Sequence, residues 1–325
     1  MKFSLKDIWS ILKQSFADFI GNKVFKLSAA LAFYTIFSLP AMLIIVISVS
    51  GIFYGREAIE GSLYHQISEF VGNDAALQIQ QSIRGAALSK SSYFATIVGV
   101  VTLIFGATSV FTEIQDSINY IWKLKTKPRK GMGFLKMLFN RLLSFSLVVT
   151  LGFLLLVSLL INGLMDMLIT RLTNMFPELT VIVVYGVNVI ITFGITALLF
   201  ALIFKVLPDA RIKWKHVRAG AFTTAILFML GKFLIGYYLG HSKLSSTYGT
   251  AGSVIVMLLW VYYSAMILYF GAIFTHVFAA HSGTRIYPNS YAVWVQEIEV
   301  ESEKSITEQP IEKAVVKTTE APPAV

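Results

Sequence analysis

The chain has 325 residues, 56% of them hydrophobic and only 14% charged, with a mean hydropathy of +0.70; that balance excludes an ordinary water-exposed surface and points to lipid. A formal net charge of +9 raises nucleic acid as a partner, but the basic residues sit between the apolar runs, where membrane insertion and anionic headgroups require them. Cysteine is absent, which removes disulfides, thiolate catalysis and Cys-based metal centres.

Residues 1–26 are periodic and interrupted by lysines, unlike the continuous apolar core of a cleavable signal. Trp9, Leu12, Phe16 and Phe19 recur at helical spacing beside Lys2, Lys6, Lys13 and Lys23. Two readings fit this pattern: an amphipathic helix on an anionic leaflet, or a short cytoplasmic helix packed on the protein's own segments. The first apolar run, 27–53, contains Pro40, which removes a backbone donor and predicts a kink, with Thr35, Ser38 or water re-satisfying the freed carbonyl. Segment 54–92 has apolar residues at spacings of three and four, which predicts one or two short helices at the outer surface.

The second run, 93–111, continues into a stripe of Gly99, Thr102, Gly106, Ser109, Glu113, Asp116 and Tyr120. Polar groups inside a span are costly unless they face a partner or a wet cavity, so the stripe predicts a protein-facing side. Glu113 and Asp116 lie one turn apart beside the most basic loop. They form either a salt-bridged helix end or a cation or proton site at the mouth of a pathway. Further runs follow at 142–161, 181–203, 219–239 and 253–279. The fourth carries Tyr185, Asn188, Thr192 and Thr196 on one face; the sixth carries Ser253, Trp260, Ser264, Gly271 and Thr275. Each stripe is either an interhelical contact or one wall of a polar crevice. Lys232, inside the fifth run, either snorkels to the outer headgroups or holds a fixed charge for an anionic substrate. Residues from 297 onward are polar, acidic and Pro-containing, which predicts a disordered tail within 283–325.

Runs of this length cross about 30 Å of hydrocarbon as helices, because lipid leaves no partners for open backbone. Lys and Arg number 18 in the N-terminal segment, the second and fourth connections and just after the sixth run, against 5 in the alternate connections. The expected fold is therefore all-α: a polytopic bundle of six transmembrane helices with both ends cytoplasmic. The five histidines show no metal-binding spacing, and no P-loop or GxSxG motif occurs, so no enzyme, cofactor or metal is expected.

Four stretches, ALAFYTIFSLPAM (30–42), FTEIQDSINYIWK (111–123), VLPDARIKWKHVRAGAF (206–222) and YGTAGSVIVMLLWVYYSAMILYFGA (248–272), resemble the YihY/BrkB family of bacterial inner-membrane proteins over roughly residues 20–282. The resemblance implies a six-helix plasma-membrane protein, with roles suggested for the family in envelope integrity or in movement of lipids or small solutes. An old ribonuclease label for the family finds no support in these residues. The family's recurrent positions map to Tyr34, Ser38, Pro40, Gln115, Asn119, Trp122, Pro208, Trp214, Gly220, Tyr248, Gly249, Trp260 and Gly271.

The leading expectation is a transporter of lipid or small solute. Its candidate pathway or packing residues are Tyr34, Ser38, Pro40, Ser109, Glu113, Asp116, Asn119, Asn188, Thr192, Lys232, Trp260 and Ser264. The alternative is an envelope scaffold, and a membrane-bound enzyme ranks third. Anionic membrane lipids at the cytoplasmic face are the expected partners, nucleic acid is not, and a homo-oligomer is left open.

Overall fold

The computed structural model describes residues 4–38, 109–126, 177–241, 251–289 and 291–295. Pro40, the outer segment 54–92, the third run at 142–161, the second run before residue 109 and the tail from 297 lie outside the described residues, as do Tyr248 and Gly249.

Helix α1 (Leu5–Gly21) starts at a reciprocal cap, in which Ser4 accepts from the Lys6 amide and the Asp7 carboxylate accepts from the Ser4 amide at 2.8 Å. Asn22 ends it by donating its side-chain amide to the Asp18 carbonyl, and Lys23, at φ 54°, turns the chain into α2 (Val24–Ser38). Helix α3 covers residues 109–121 and ends the same way, with Lys123 at φ 55° leading into β1 (Leu124–Thr126). Three long helices follow: α4 (Pro177–Val206), α5 (Trp214–His241) and α6 (Ala251–His281). Among the described residues these three are long and apolar enough to cross a membrane, over Val189–Val206, Trp214–Ile235 and Val254–His281.

Helix α6 is the centre of the described bundle, buried almost continuously from Ile267 to Thr275, with α5 and α1 packed on it; α4 packs on α5. The α5–α6 contact is a reciprocal interlock. A Cβ added to Gly220 would stand 1.7 Å from Thr275 Oγ1, and one added to Gly271 would stand 1.9 Å from Thr224 Oγ1. Each threonine donates its hydroxyl at 2.7 Å to the glycine carbonyl one turn back on its own helix, Thr224 to Gly220 and Thr275 to Gly271. The hydroxyls are thus satisfied locally, and the threonines fill the notches opposite. Such close approach is how helices associate where lipid gives no hydrophobic gain for doing so. Gly231 extends the seam by making room for Tyr263 and Ile267.

The described fold is mostly helical, as expected, with one small addition. Two antiparallel ribbons close one end of the bundle: β1 pairs with β4 (Ala292–Trp294), and β2 (Ala210–Arg211) pairs with β3 (Tyr287–Pro288). Strands of two or three residues leave no periodic signature. They form because backbone groups leaving the helices still need partners. The ribbons join the chain after α3, the α4–α5 turn and the segment after α6, so these three segments share one side of the bundle. At the same end Lys205 bends over α5, donating to the Ile212 carbonyl at 2.6 Å with its ammonium 5.6 Å from the Trp214 ring centroid.

Candidate functional site

Beneath the ribbons the buried turn Leu207–Ala210 places Asp209, only 4% exposed, against α3. Asn119 grips it from two directions, donating its side-chain amide to Asp209 Oδ2 at 2.9 Å and accepting the Asp209 backbone N–H at 2.9 Å. Gln115, one turn earlier, donates to Oδ1 at 3.1 Å. The Tyr291 phenol also hydrogen-bonds this carboxylate, and the Asn289 amide donates to the Asp209 carbonyl at 2.9 Å. Burial, and then the nearby carboxylate, push the Tyr291 phenol above its ordinary value, which keeps it a donor. A carboxylate removed from water is costly unless every lone pair finds a donor, and here neutral amides and a phenol supply them. Trp122, at the end of α3, locks the same corner by donating its indole N–H to the Ala272 carbonyl on α6 at 2.9 Å.

A second polar line runs along the other flank of α3. Ser38, buried on α2, donates its hydroxyl to the Tyr34 carbonyl, which leaves it to accept from Ser109 at 3.1 Å. One turn on from Ser109 is the half-buried Glu113, whose carboxylate accepts from the buried Ser117 at 3.4 Å. The hydroxyl of Tyr269, on α6, is buried beside Ser117 and Glu113 but outside hydrogen-bond geometry. Burial, and then Asp116, raise the Glu113 carboxyl above its ordinary value, with the Ser117 bond opposing. Asp116 reaches the surface, yet partial burial and the Asp209 carboxylate raise its carboxyl too. Both carboxyls are thus raised by burial and by a neighbouring carboxylate.

The remaining sequence candidates disperse. Trp260 and Ser264 are half-buried on the face of α6 that meets α5, where Trp260 packs edge-to-face on Phe228 at 5.8 Å. Thr192 is exposed on α4, and Asn188 lies in the same helix. Lys232 is half-buried on α5, and Tyr34 is exposed on α2. The structure therefore unites Ser38 with Ser109 and Glu113, sets Asn119 in the Asp209 knot, and places Thr192 on α4 and Lys232 on α5. Among the described residues no three His, Asp or Glu side chains are grouped to hold a metal.

The family model described as "Virulence factor BrkB" matches residues 15–291, which include both polar groups and all the described helices except the start of α1. The chain belongs to the BrkB family. Among its relatives are UPF0761 membrane proteins of Stenotrophomonas maltophilia, 28% identical over 81% of this chain and 59% of the relative, and of Chromobacterium violaceum, 26% identical over 82% and 63%. A third, from Saccharophagus degradans, is 26% identical over 90% of this chain and 65% of the relative. This BrkB-family chain thus spans about three fifths of the length of the curated relatives it matches, and it is a membrane protein as they are. No solved structure matches it.

Sequence reasoning passed over Asp209, Ser117, Tyr269 and Thr224 as site residues. A signal for Asp209 was present, since it is the one acidic residue in segment 204–218, which carries five Lys and Arg. An acid kept among that many cations marks either a salt bridge or a buried acceptor. The interlock also had a signal, a glycine four residues before a threonine once on each of two neighbouring helices.

Proposed function

We propose that this chain carries a polar-headed molecule, a lipid or a small solute, across the bacterial plasma membrane, with both chain ends on the cytoplasmic side. The observation that supports it is the line Ser38, Ser109, Glu113 and Ser117, which runs from inside α2 along α3 to the ribbon end of the bundle. Hydroxyls and a raised carboxyl in series offer successive partners to a headgroup or proton crossing an apolar medium. The orientation rests on the distribution of Lys and Arg, because the three segments joined by the ribbons belong to the basic set. The reading assigns the chain no covalent chemistry and no cofactor.

A second reading, an envelope scaffold without transport, is favoured by the α5–α6 interlock, which closes that seam to any passenger. One experiment separates the two. The full-length chain is reconstituted in vesicles and assayed for movement of a fluorescent anionic phospholipid and of small labelled solutes, with and without a proton gradient. Transport predicts movement of one class, reduced about tenfold or more in Glu113→Gln, the size expected when a buried polar contact worth about 1.4 kcal/mol or more is lost. If nothing moves under any gradient, the scaffold reading stands.

A further inference from the structure

Helix α1 carries two apolar flanks, and only one is used inside the molecule. Ile11, Ser15 and Phe19 are buried against the bundle, with the Phe19 ring 6.0 Å from Phe270 on α6. Rotated by roughly a third of a turn, at about 100° per residue, lies a second flank of Trp9, Phe16 and Ile20, exposed at 71%, 61% and 59%. The same geometry sets Lys6 and Lys13 along the outer border of this second flank, and both are exposed. Gln14 and Asp7 stand on the opposite side of the helix, with Ser10 beyond the lysines.

We propose that the Trp9, Phe16 and Ile20 flank docks into an anionic lipid leaflet, so that α1 lies in the membrane plane, clamped between lipid and α6. Three observations select lipid as the occupant. The two lysines border the apolar arc on the side away from α6, where phosphates of a leaflet would meet them. Only Asn22 and Lys23 separate α1 from α2, whose Phe25, Phe33 and Phe37 are likewise exposed in an apolar helix. Finally, Phe19 meets α6 at Phe270, about three turns before that helix ends at His281, so the C-terminal end of α1 sits below the rim of the bundle rather than above it. In-plane helices bury their apolar face about 5–10 Å into the boundary between headgroups and acyl chains. This inference holds whether or not the chain transports anything.

The chain has no cysteine, so single-cysteine variants of the full-length protein each take one spin label. Labels at Trp9→Cys, Phe16→Cys, Ile20→Cys, Ser10→Cys and Gln14→Cys are read in vesicles of phosphatidylcholine with and without phosphatidylglycerol, by collision with oxygen and with a water-soluble nickel chelate. The expected result is several-fold higher oxygen-to-nickel accessibility at 9, 16 and 20 than at 10 and 14. Adding phosphatidylglycerol should deepen position 16, and the combined Lys6→Gln and Lys13→Gln substitutions should abolish that deepening. Equal nickel access at all five positions overturns the docking. Spin–spin broadening at 16, with protection from both reagents, assigns the flank to a second copy of the chain and overturns it as well. Insertion that ignores phosphatidylglycerol overturns the choice of an anionic leaflet.

Discussion

The seam between α5 and α6 is closed by glycines and threonines, whereas the end of the bundle beyond it is closed by a carboxylate, two side-chain amides and a phenol. The two regions share α6 and its neighbours but solve different problems. Within the apolar spans helices gain nothing by leaving lipid for one another, so contact must come from shape. A hydroxyl is tolerated there because its own helix satisfies it. At the ribbon end a buried carboxylate must be matched by donors, and stability comes from pairing the groups around Asp209. One region is therefore sensitive to volume and the other to hydrogen-bond count.

Volume should give the largest effect. Gly271→Leu would drive a side chain through Thr224 and should cost about 3 kcal/mol, the upper part of the usual range for overpacking, seen as a lower melting temperature in detergent. The milder Gly271→Ala should be partly rescued by Thr224→Gly, which empties the notch. If Gly271→Ala melts like the parent, the seam is not close-packed and the contrast between the regions collapses. Next comes Asp209→Ala, which strands Asn119, Gln115 and Tyr291 and should cost about 2–3 kcal/mol, the scale of leaving buried polar groups unsatisfied. Asp209→Asn should fall between, since its amide keeps one acceptor but turns a donor toward other donors. Combining Gly271→Ala with Asp209→Asn sharpens the distinction. Independent regions predict additive losses to within about 0.5 kcal/mol.

The same contrast explains what the sequence disclosed. The fourth, fifth and sixth apolar runs, 181–203, 219–239 and 253–279, were legible because twenty or more apolar residues in succession have few other uses, and α4, α5 and α6 cover them. The stripe on the sixth run was legible as a contact, since Gly271 and Thr275 do meet α5. The stripe on α3 was less so. Ser109 and Glu113 belong to a polar line that Ser117 continues, but Asp116 and Tyr120 reach the surface, and Ile118 and Asn119 are buried in their place. Helical spacing says which residues share a face but not which face meets a partner. That choice was set by Asp209, about ninety residues away in sequence and held by a turn with no periodic signature. The ribbons escaped for the same reason, because backbone pairing over two or three residues is written in the tertiary structure and not in the local pattern.

The smallest effect is electrostatic, and its sign follows from the raised carboxyls of Glu113 and Asp116. A carboxyl whose folded value lies above its unfolded value, near 4 for an ordinary Asp or Glu, binds its proton more tightly in the folded chain. It therefore adds no penalty at low pH, and it weakens the fold progressively as pH rises from the unfolded value to the folded one. Asp116→Asn removes that penalty. The variant should melt slightly above the parent near neutral pH, and its lead should shrink to nothing below about pH 4. Added salt should reduce the lead, because Asp116 reaches solvent and its interaction with Asp209 is screened. Gly271→Ala, acting through volume alone, should keep a constant deficit over the same pH series. A lead for Asp116→Asn that grows toward low pH would mean that the carboxyl is stabilised as an anion, and Asp116 would then belong with a cation rather than with the raised pair.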